Sequence, residues 1–205
     1  MNPFEFEDQY HKSGYEWLAG VDEVGRGCLF GDVVACAIVM PKDEPIEGVK
    51  DSKKLSAKKR EDLYEKILGK CLALGIGRVE AGVIDQINIK QASRLAMKKA
   101  VENLRTQDGK VLIPNLLLVD AEKIDLPIEQ ISIIHGDDLS YTISCASIVA
   151  KVYRDRLCIE WAKTYPGYGL DRHKGYATAL HRGAIKKLGP TDMHRLSFLK
   201  NILKP

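Results

Sequence analysis

The chain has 205 residues, 45% of them apolar and 29% charged, a composition that excludes a disordered or fibrous protein and fits one globular domain burying roughly 70% of its unfolded surface. Its longest strongly apolar run, VVACAIVM at 33–40, has eight residues and is too short for a membrane-spanning helix. Net charge is +3, yet residues 151–205 carry 12 Lys/Arg against 4 Asp/Glu, while residues 1–150 carry 19 against 24. That asymmetry suggests an anionic partner for the C-terminal part, nucleic acid being the commonest, and a solvated basic surface is the plain alternative.

The first segment, MNPFEFEDQYHK, is polar and acidic, so no secretory signal is expected. WLAGVD (17–22) and VVACAIVM (33–40) are β-rich and separated by a glycine-containing turn, which predicts an antiparallel pair. SAKKREDLYEKILGK (56–70) has helical composition with Ser56 as N-cap, and LALGIGRVEA (72–81) reads as a third strand. From about Asp85 to Leu104 the apolar residues Ile89, Ala96, Met97, Ala100, Val101 and Leu104 share one helical face. NLLLVDA (115–121) fits a buried central strand and QISIIHG (130–136) another. A helix follows from about Thr142 to Lys163, then a Gly-, His-, Tyr- and Lys/Arg-rich stretch at 166–205 with a short helix near 178–188. These elements predict one mixed α/β sheet, with no linker to a second domain. The five cysteines (28, 36, 71, 145, 158) are odd in number and lack CxxC spacing, which predicts buried thiols in a reducing, cytoplasmic setting.

Acids stand at the carboxyl ends of these strands or just beyond: Asp22 with Glu23, Asp120 after NLLLV, and Asp137 after QISIIHG. That edge is where α/β sheets place chemistry, and neighbouring strands lie about 4.8 Å apart, so such carboxylates can converge. Any one of them alone fits a turn or cap. Together they favour a site for a hard cation, Mg²⁺ or Mn²⁺, because a divalent ion removes the repulsion among them. Successive strand residues point to opposite faces, so Asp22 and Glu23 cannot both address one ion from a regular strand. Either the backbone leaves regular geometry near Val24-Gly25, or Glu23 contributes its carbonyl oxygen. Gly25 and Gly27 supply conformational freedom, and the Gly25-Arg26-Gly27 turn could bring backbone amides close to a ligand.

These residues, with others along the chain, resemble the ribonuclease HII family, the type 2 ribonucleases H. The similarity runs through GVDEVGRG (20–27), DSKKLS (51–56), IDQINIKQASRLAMKKAV (84–101), LLLVDA (116–121), GDDLSYTISCASIVAKVYRD (136–155), YPGYGLDRHKGYAT (165–178) and GPTDMHRLSF (189–198). It implies a ribonuclease H-like mixed five-stranded sheet flanked by helices, in a single catalytic domain over 1–205 whose helical basic portion, about 166–205, binds substrate. The implied activity is endonucleolytic hydrolysis of the RNA strand in RNA–DNA hybrids and incision 5′ of single ribonucleotides in duplex DNA, as in ribonucleotide excision repair. Two Mg²⁺ or Mn²⁺ ions would act, leaving 3′-hydroxyl and 5′-phosphate ends.

Carried over by position, the resemblance implies metal-binding, catalytic roles for Asp22, Glu23, Asp120 and Asp137. Asp137 matches the acid that follows the glycine, and Asp138 is a local departure expected to face solvent. The backbone of Gly25, Arg26 and Gly27 would recognise the ribose 2′-OH, the group that distinguishes RNA from DNA. Tyr176 of HKGY would stack on the sugar at the RNA–DNA junction. Lys53, Lys54 and Lys174 would bind phosphates, with Arg195 a further candidate. Lys151 and Asp155, four apart on one helix, fit a structural ion pair equally well. Cys28 and Asp32 replace two prolines common in the family's turn. The Arg26 turn, VDA and HKGY favour type 2 over the sister type 3 enzymes. No membrane contact and no particular protein partner is expected, and the chain is expected to be a monomer. A non-catalytic nucleic-acid-binding module and a metal-dependent small-nucleotide phosphohydrolase are the rival readings.

Overall fold

The computed structural model describes residues 4–50 and 52–203. Asp51 of the DSKKLS motif and the last two residues of the tail lie outside them. In chain order the elements are α1 (Glu5–Lys12), β1 (Leu18–Val24), β2 (Val33–Val39), α2 (Ala57–Lys70), β3 (Ala73–Val79), α3 (Ala81–Glu102), β4 (Arg105–Thr106), β5 (Leu116–Asp120), β6 (Glu129–Ile133), α4 (Gly136–Leu139), α5 (Tyr141–Thr164), α6 (Leu170–His173) and α7 (Ala179–Leu188).

The strands form one sheet of order β4-β3-β2-β1-β5-β6. The first three long strands are antiparallel, as the apolar patterns predict; β1–β5 and β5–β6 are parallel. The sheet has six strands where five were expected. The extra one, β4, is two residues long and pairs with the end of β3, too short to leave a pattern in sequence.

Helices cover both faces. Ala19, Val21, Leu117 and Val119 point towards α3, burying its Ala92, Ala96, Met97 and Ala100. Leu18, Leu116 and Leu118 point the other way, with Ile143 of α5, and Cys36 and Ile38 pack on the same side against Ala146, Val149 and Ala150. Alternation along β1 and β5 thus assigns each end residue to a face. Gly20 is what lets α5 lie on the central strand: a Cβ there would be 2.5 Å from the Thr142 carbonyl carbon.

The Ser56 cap agrees with the sequence reading, and Ser140 is a further one. Ser56 and Ser140 accept the backbone N–H of Lys59 and Ile143 at the starts of α2 and α5. The long 85–104 helix is interrupted: Asn88 has φ +66°, and its side chain accepts the N–H groups of Lys90 and Gln91. It therefore ends one helical segment and caps the next. The N-terminal helix α1 was not predicted. Tertiary contact holds it, since Glu7 is buried and accepts Ser140 Oγ (2.6 Å) and Thr142 N (2.9 Å), capping α5 from outside. All five cysteines are buried free thiols. Among the described residues no helix is long and apolar enough to cross a membrane.

Candidate active site

Asp22 and Asp120 sit side by side at the carboxyl ends of adjacent parallel strands. The register pairs Val21 with Val119, so the two acids occupy the next row. Both belong to the α5 face by alternation with Gly20 and Leu118. Asp22 is 6% exposed. Its Oδ1 accepts the Glu23 N–H (2.7 Å), and Ser147 of α5 hydrogen-bonds to its carboxylate. Ser147 in turn meets Ser52 at 2.8 Å, tying the 52–54 turn to the site. Asp120 Oδ1 accepts the Gly136 N–H at 2.8 Å. Asp137, in the first turn of α4, is buried, and its carbonyl accepts Ser144 Oγ at 2.7 Å.

Electrostatics record the crowding. Burial, then the charges of Glu23 and Asp120, push the Asp22 carboxyl well above the ordinary carboxylate range. Burial and the Asp137 charge raise Asp120. Burial also raises Glu23, against the lowering effect of Arg26. Carboxylic acids reluctant to ionise beside one another are the setting that a divalent cation relieves.

The pleat separates Asp22 from Glu23. β1 stays paired with β2 through Val24 and breaks only at Gly25, φ +92°. Glu23 therefore lies on the α3 face. There its Oε1 accepts from Arg26 (3.0 Å), Arg26 lies 3.8 Å from Glu122, and Glu122 accepts Arg94 Nε of α3 at 2.9 Å. Glu23 Oε2 is buried without a hydrogen-bond partner. On the other side Lys53 donates to Asp137 Oδ2 at 2.9 Å. Among the described residues no group of three or more His, Cys, Asp or Glu side chains stands assembled as a ligand cage. Asp22 and Asp120 have converged, while Glu23 and Asp137 are each turned to a cation. The donor set still fits hard divalent ions: all-oxygen, buried at Asp22 and Asp137 and half-buried at Glu23 and Asp120, mutually repelling, with an orphaned oxygen on Glu23.

The 25–27 turn is built from far away in sequence. Arg154 of α5, 1% exposed, donates to three carbonyls, those of Asp32 (3.0 Å), Phe30 (3.0 Å) and Lys174 (2.8 Å). Arg195, fully buried, donates to the carbonyls of Gly31 and Arg26, both at 2.9 Å. Its assignment to phosphate is therefore corrected: the guanidinium faces backbone, and desolvation by burial lowers its pKa to about 10. Cys28 pairs with Tyr176 in an isolated antiparallel bridge, and Leu29 N donates to Gly175 O at 2.8 Å. Tyr176 is thereby held next to the Gly-Arg-Gly turn with its side chain 41% exposed.

The remaining lysines are less convergent. Lys54 pairs with Asp138, which is partly exposed. Lys174 Nζ folds back to the Asp171 carbonyl. Lys151 and Asp155 form the helix ion pair. Sequence reasoning missed Arg154, which packs against Gly25 and joins the segment after the turn to Lys174. The signal was present: positions 146, 150, 154 and 158 step by four along the buried side of α5, and Arg154 interrupts a row of Ala146, Ala150 and Cys158. It also missed Glu122 and Ser147, for which neighbouring residues give no sign.

Comparison with known proteins places the chain in a family and a fold. The family described as Ribonuclease HII matches residues 19–201. A protein named Ribonuclease HII from Alkaliphilus metalliredigens is 61% identical over 204 residues, 100% of both chains. The ribonuclease H2 structure from Pyrococcus horikoshii OT3 superposes with a TM-score of 0.73 at 25% identity, covering 91% of this chain and 97% of that one. The structure of Bst-RNase HIII in complex with Mn²⁺ shares the fold at 17% identity, TM-score 0.69, covering 94% and 71%.

Proposed function

The chain belongs to the ribonuclease HII family, and we propose that it cuts the RNA strand of RNA–DNA hybrids and incises 5′ of single ribonucleotides embedded in duplex DNA. It is an enzyme, a ribonuclease H. The observation that carries the finer reading is the pairing of Asp22 and Asp120 in one row at the ends of β1 and β5, beside a turn whose Arg26 carbonyl is held by Arg195 and which is flanked by the Cys28–Tyr176 bridge and by the Phe30 and Lys174 carbonyls that Arg154 holds.

In this reading Asp22, Glu23, Asp120 and Asp137 hold two divalent cations, Mg²⁺ or Mn²⁺, which when bound supply a water of lowered pKa and stabilise the leaving 3′ oxygen. The chain's own residues do the rest. Asp22 and Asp120 form the rigid half of the donor set, being fixed by Glu23 N, Ser147 and Gly136 N. Glu23 and Asp137 form the adjustable half: each is paired with a side-chain cation, Arg26 and Lys53, and each would offer a bound metal its carboxylate oxygens. Lys53, beside Asp137 at the edge of the acids, would meet a substrate phosphate, with Lys54 and Lys174 as further phosphate contacts.

The backbone of Gly25, Arg26 and Gly27 meets the ribose 2′-OH, so a deoxyribose leaves a polar group unpaired. Tyr176 stacks on the sugar across the junction. Residues 1–205 act as one catalytic unit, with the basic portion from about 166 supporting the substrate, and the protein works as a monomer.

The test is incubation with a duplex carrying one ribonucleotide, with and without Mg²⁺ or Mn²⁺. Incision 5′ of that ribonucleotide only with metal is expected; binding without product would return the non-catalytic reading.

A further inference from the structure

Three of the chain's five histidines, His173, His181 and His194, come from different segments and meet in one buried stack beneath Tyr176. Their exposures are 9%, 0% and 1%. The His173 and His181 rings are parallel, 4.3 Å apart at 18°, and His181 Nε2 lies 3.3 Å from His194 Nε2. Two nitrogens facing each other at that distance need one proton between them, and the surrounding partners say which ring carries it.

Thr191 N donates to His194 Nδ1 at 2.9 Å, so that nitrogen is an acceptor and His194 carries its proton on Nε2. That proton goes to His181 Nε2. His181 must then hold its own proton on Nδ1, which donates to the Tyr176 carbonyl at 3.0 Å. His173 completes the set: its Nδ1 accepts Gly175 N (3.2 Å), and its Nε2 donates to the Tyr168 carbonyl (2.7 Å). The Tyr176 carbonyl and the Gly175 N–H thus end on imidazoles below, Tyr176 N donates to the His173 carbonyl at 3.0 Å, and Cys28 and Leu29 hold the same segment from the turn side.

We propose that His181, kept in one tautomer by His194 and Thr191, is a positioning residue that fixes the Tyr176 backbone against the 25–27 turn and so sets the preference for a single embedded ribonucleotide over a continuous hybrid. The inference rests on the reading of Tyr176 as the junction-stacking residue. His181 touches neither substrate nor metal donor; it acts through the Tyr176 carbonyl. The chain of donors runs one way, from Thr191 to His194 to His181 to Tyr176, and an added proton on either ring would leave two N–H groups facing each other. Burial lowers both His181 and His194 to about 4, which keeps the rings neutral under working conditions.

The experiment compares kcat/KM on a single-ribonucleotide duplex and on a continuous RNA–DNA hybrid for the parent, His181→Phe, His181→Asn and Tyr176→Ala. His181→Phe keeps the packing and loses the donor, and should lower the single-ribonucleotide-to-hybrid ratio about tenfold, as expected for a misplaced contact group. His181→Asn retains a donor near the Nδ1 position and should stay within about threefold of the parent. Equal falls on both substrates for His181→Phe, or an Asn variant that behaves like Phe, would overturn the positioning role. A ratio unmoved by Tyr176→Ala overturns the junction reading itself and the inference with it. A ratio lowered by Tyr176→Ala but not by His181→Phe defeats the inference alone. Imidazole ¹⁵N shifts of the parent at neutral pH give a check that needs no variant to fold: protonated Nδ1 on His181 and protonated Nε2 on His194 support the relay, and any other tautomer or a charged ring removes it.

Discussion

A side chain at Gly25 would have no room beside Arg154: a Cβ there would lie 2.3 Å from the guanidinium Nε. Gly25 also has φ +92°, a conformation that side chains resist. The same guanidinium holds three backbone carbonyls and cannot yield without releasing them. Gly25→Ala should therefore lose about 2–4 kcal/mol of stability and nearly all activity. Gly27 is the control, since a Cβ there meets nothing within 4 Å. Gly27→Ala should stay within about 0.5 kcal/mol of the parent while still impairing cleavage, because the added methyl blocks substrate rather than the fold. Denaturation midpoints together with cleavage rates check the pair; a Gly27 variant of full activity would remove the turn from substrate contact.

Asp120→Asn should abolish cleavage while leaving hybrid binding largely intact. The amide keeps an oxygen for Gly136 N–H and removes a charge from beside Asp22 and Asp137. Stability in the absence of metal should consequently rise or hold, within about 1 kcal/mol, and the gain in thermal midpoint on adding Mn²⁺ should shrink relative to the parent. Full activity in this variant sinks the assignment of the site.

Arg195 separates a structural from a phosphate-binding role. A lysine cannot reproduce the fork to the Gly31 and Arg26 carbonyls, so Arg195→Lys should cost about 2 kcal/mol and reduce activity through a loosened turn. The slope of log Kd for hybrid against log salt should be unchanged, because a fully buried group neutralises no phosphate. A slope reduced by about one would instead mean a lost phosphate contact.

The histidine stack predicts a pH dependence of opposite sign to that of the acids. His181 and His194 have folded pKa values near 4 against an ordinary 6.5, so between those values the unfolded chain binds more protons. Their contribution to stability is complete above pH 6.5 and is lost as pH falls towards 4. Asp22, Glu23 and Asp120 are raised, so they favour the folded state at low pH and lose that contribution as pH rises. Comparing parent with His181→Asn in denaturant titrations at several pH values isolates the imidazole part. The variant should show a shallower loss between pH 6.5 and 4, and identical profiles would contradict the assignment.

The row of Asp22 and Asp120 was legible because alternation fixes it: VD at 21–22 and LLLVD at 116–120 are strands whose last residues must share a face once paired. The pleat argument about Asp22 and Glu23 rests on the same alternation: β1 stays regular through Val24, which puts the two side chains on opposite faces. Local chemistry also announced the Ser56 cap. Contacts between distant segments left no local trace. Helix α1 rests on a buried glutamate capping a helix more than 130 residues later. The kink at Asn88 interrupts an otherwise continuous apolar pattern. Charge was the most misleading signal, since Arg154 and Arg195 raise the count of the basic C-terminal part yet spend their hydrogen bonds on carbonyls between residues 26 and 32 and at Lys174.

That arrangement has a consequence for the order in which the molecule is completed. Segment 25–31 leaves its strand near the start of the chain, but the groups that hold its shape arrive with Arg154, Gly175, Met193 and Arg195. During synthesis the sheet can pair and the acids can reach their row once α5 has emerged, while the turn still lacks half of its wall. On the proposed function, substrate recognition would be the last property that the growing chain acquires, with the paired acids in place before the turn beside them is held.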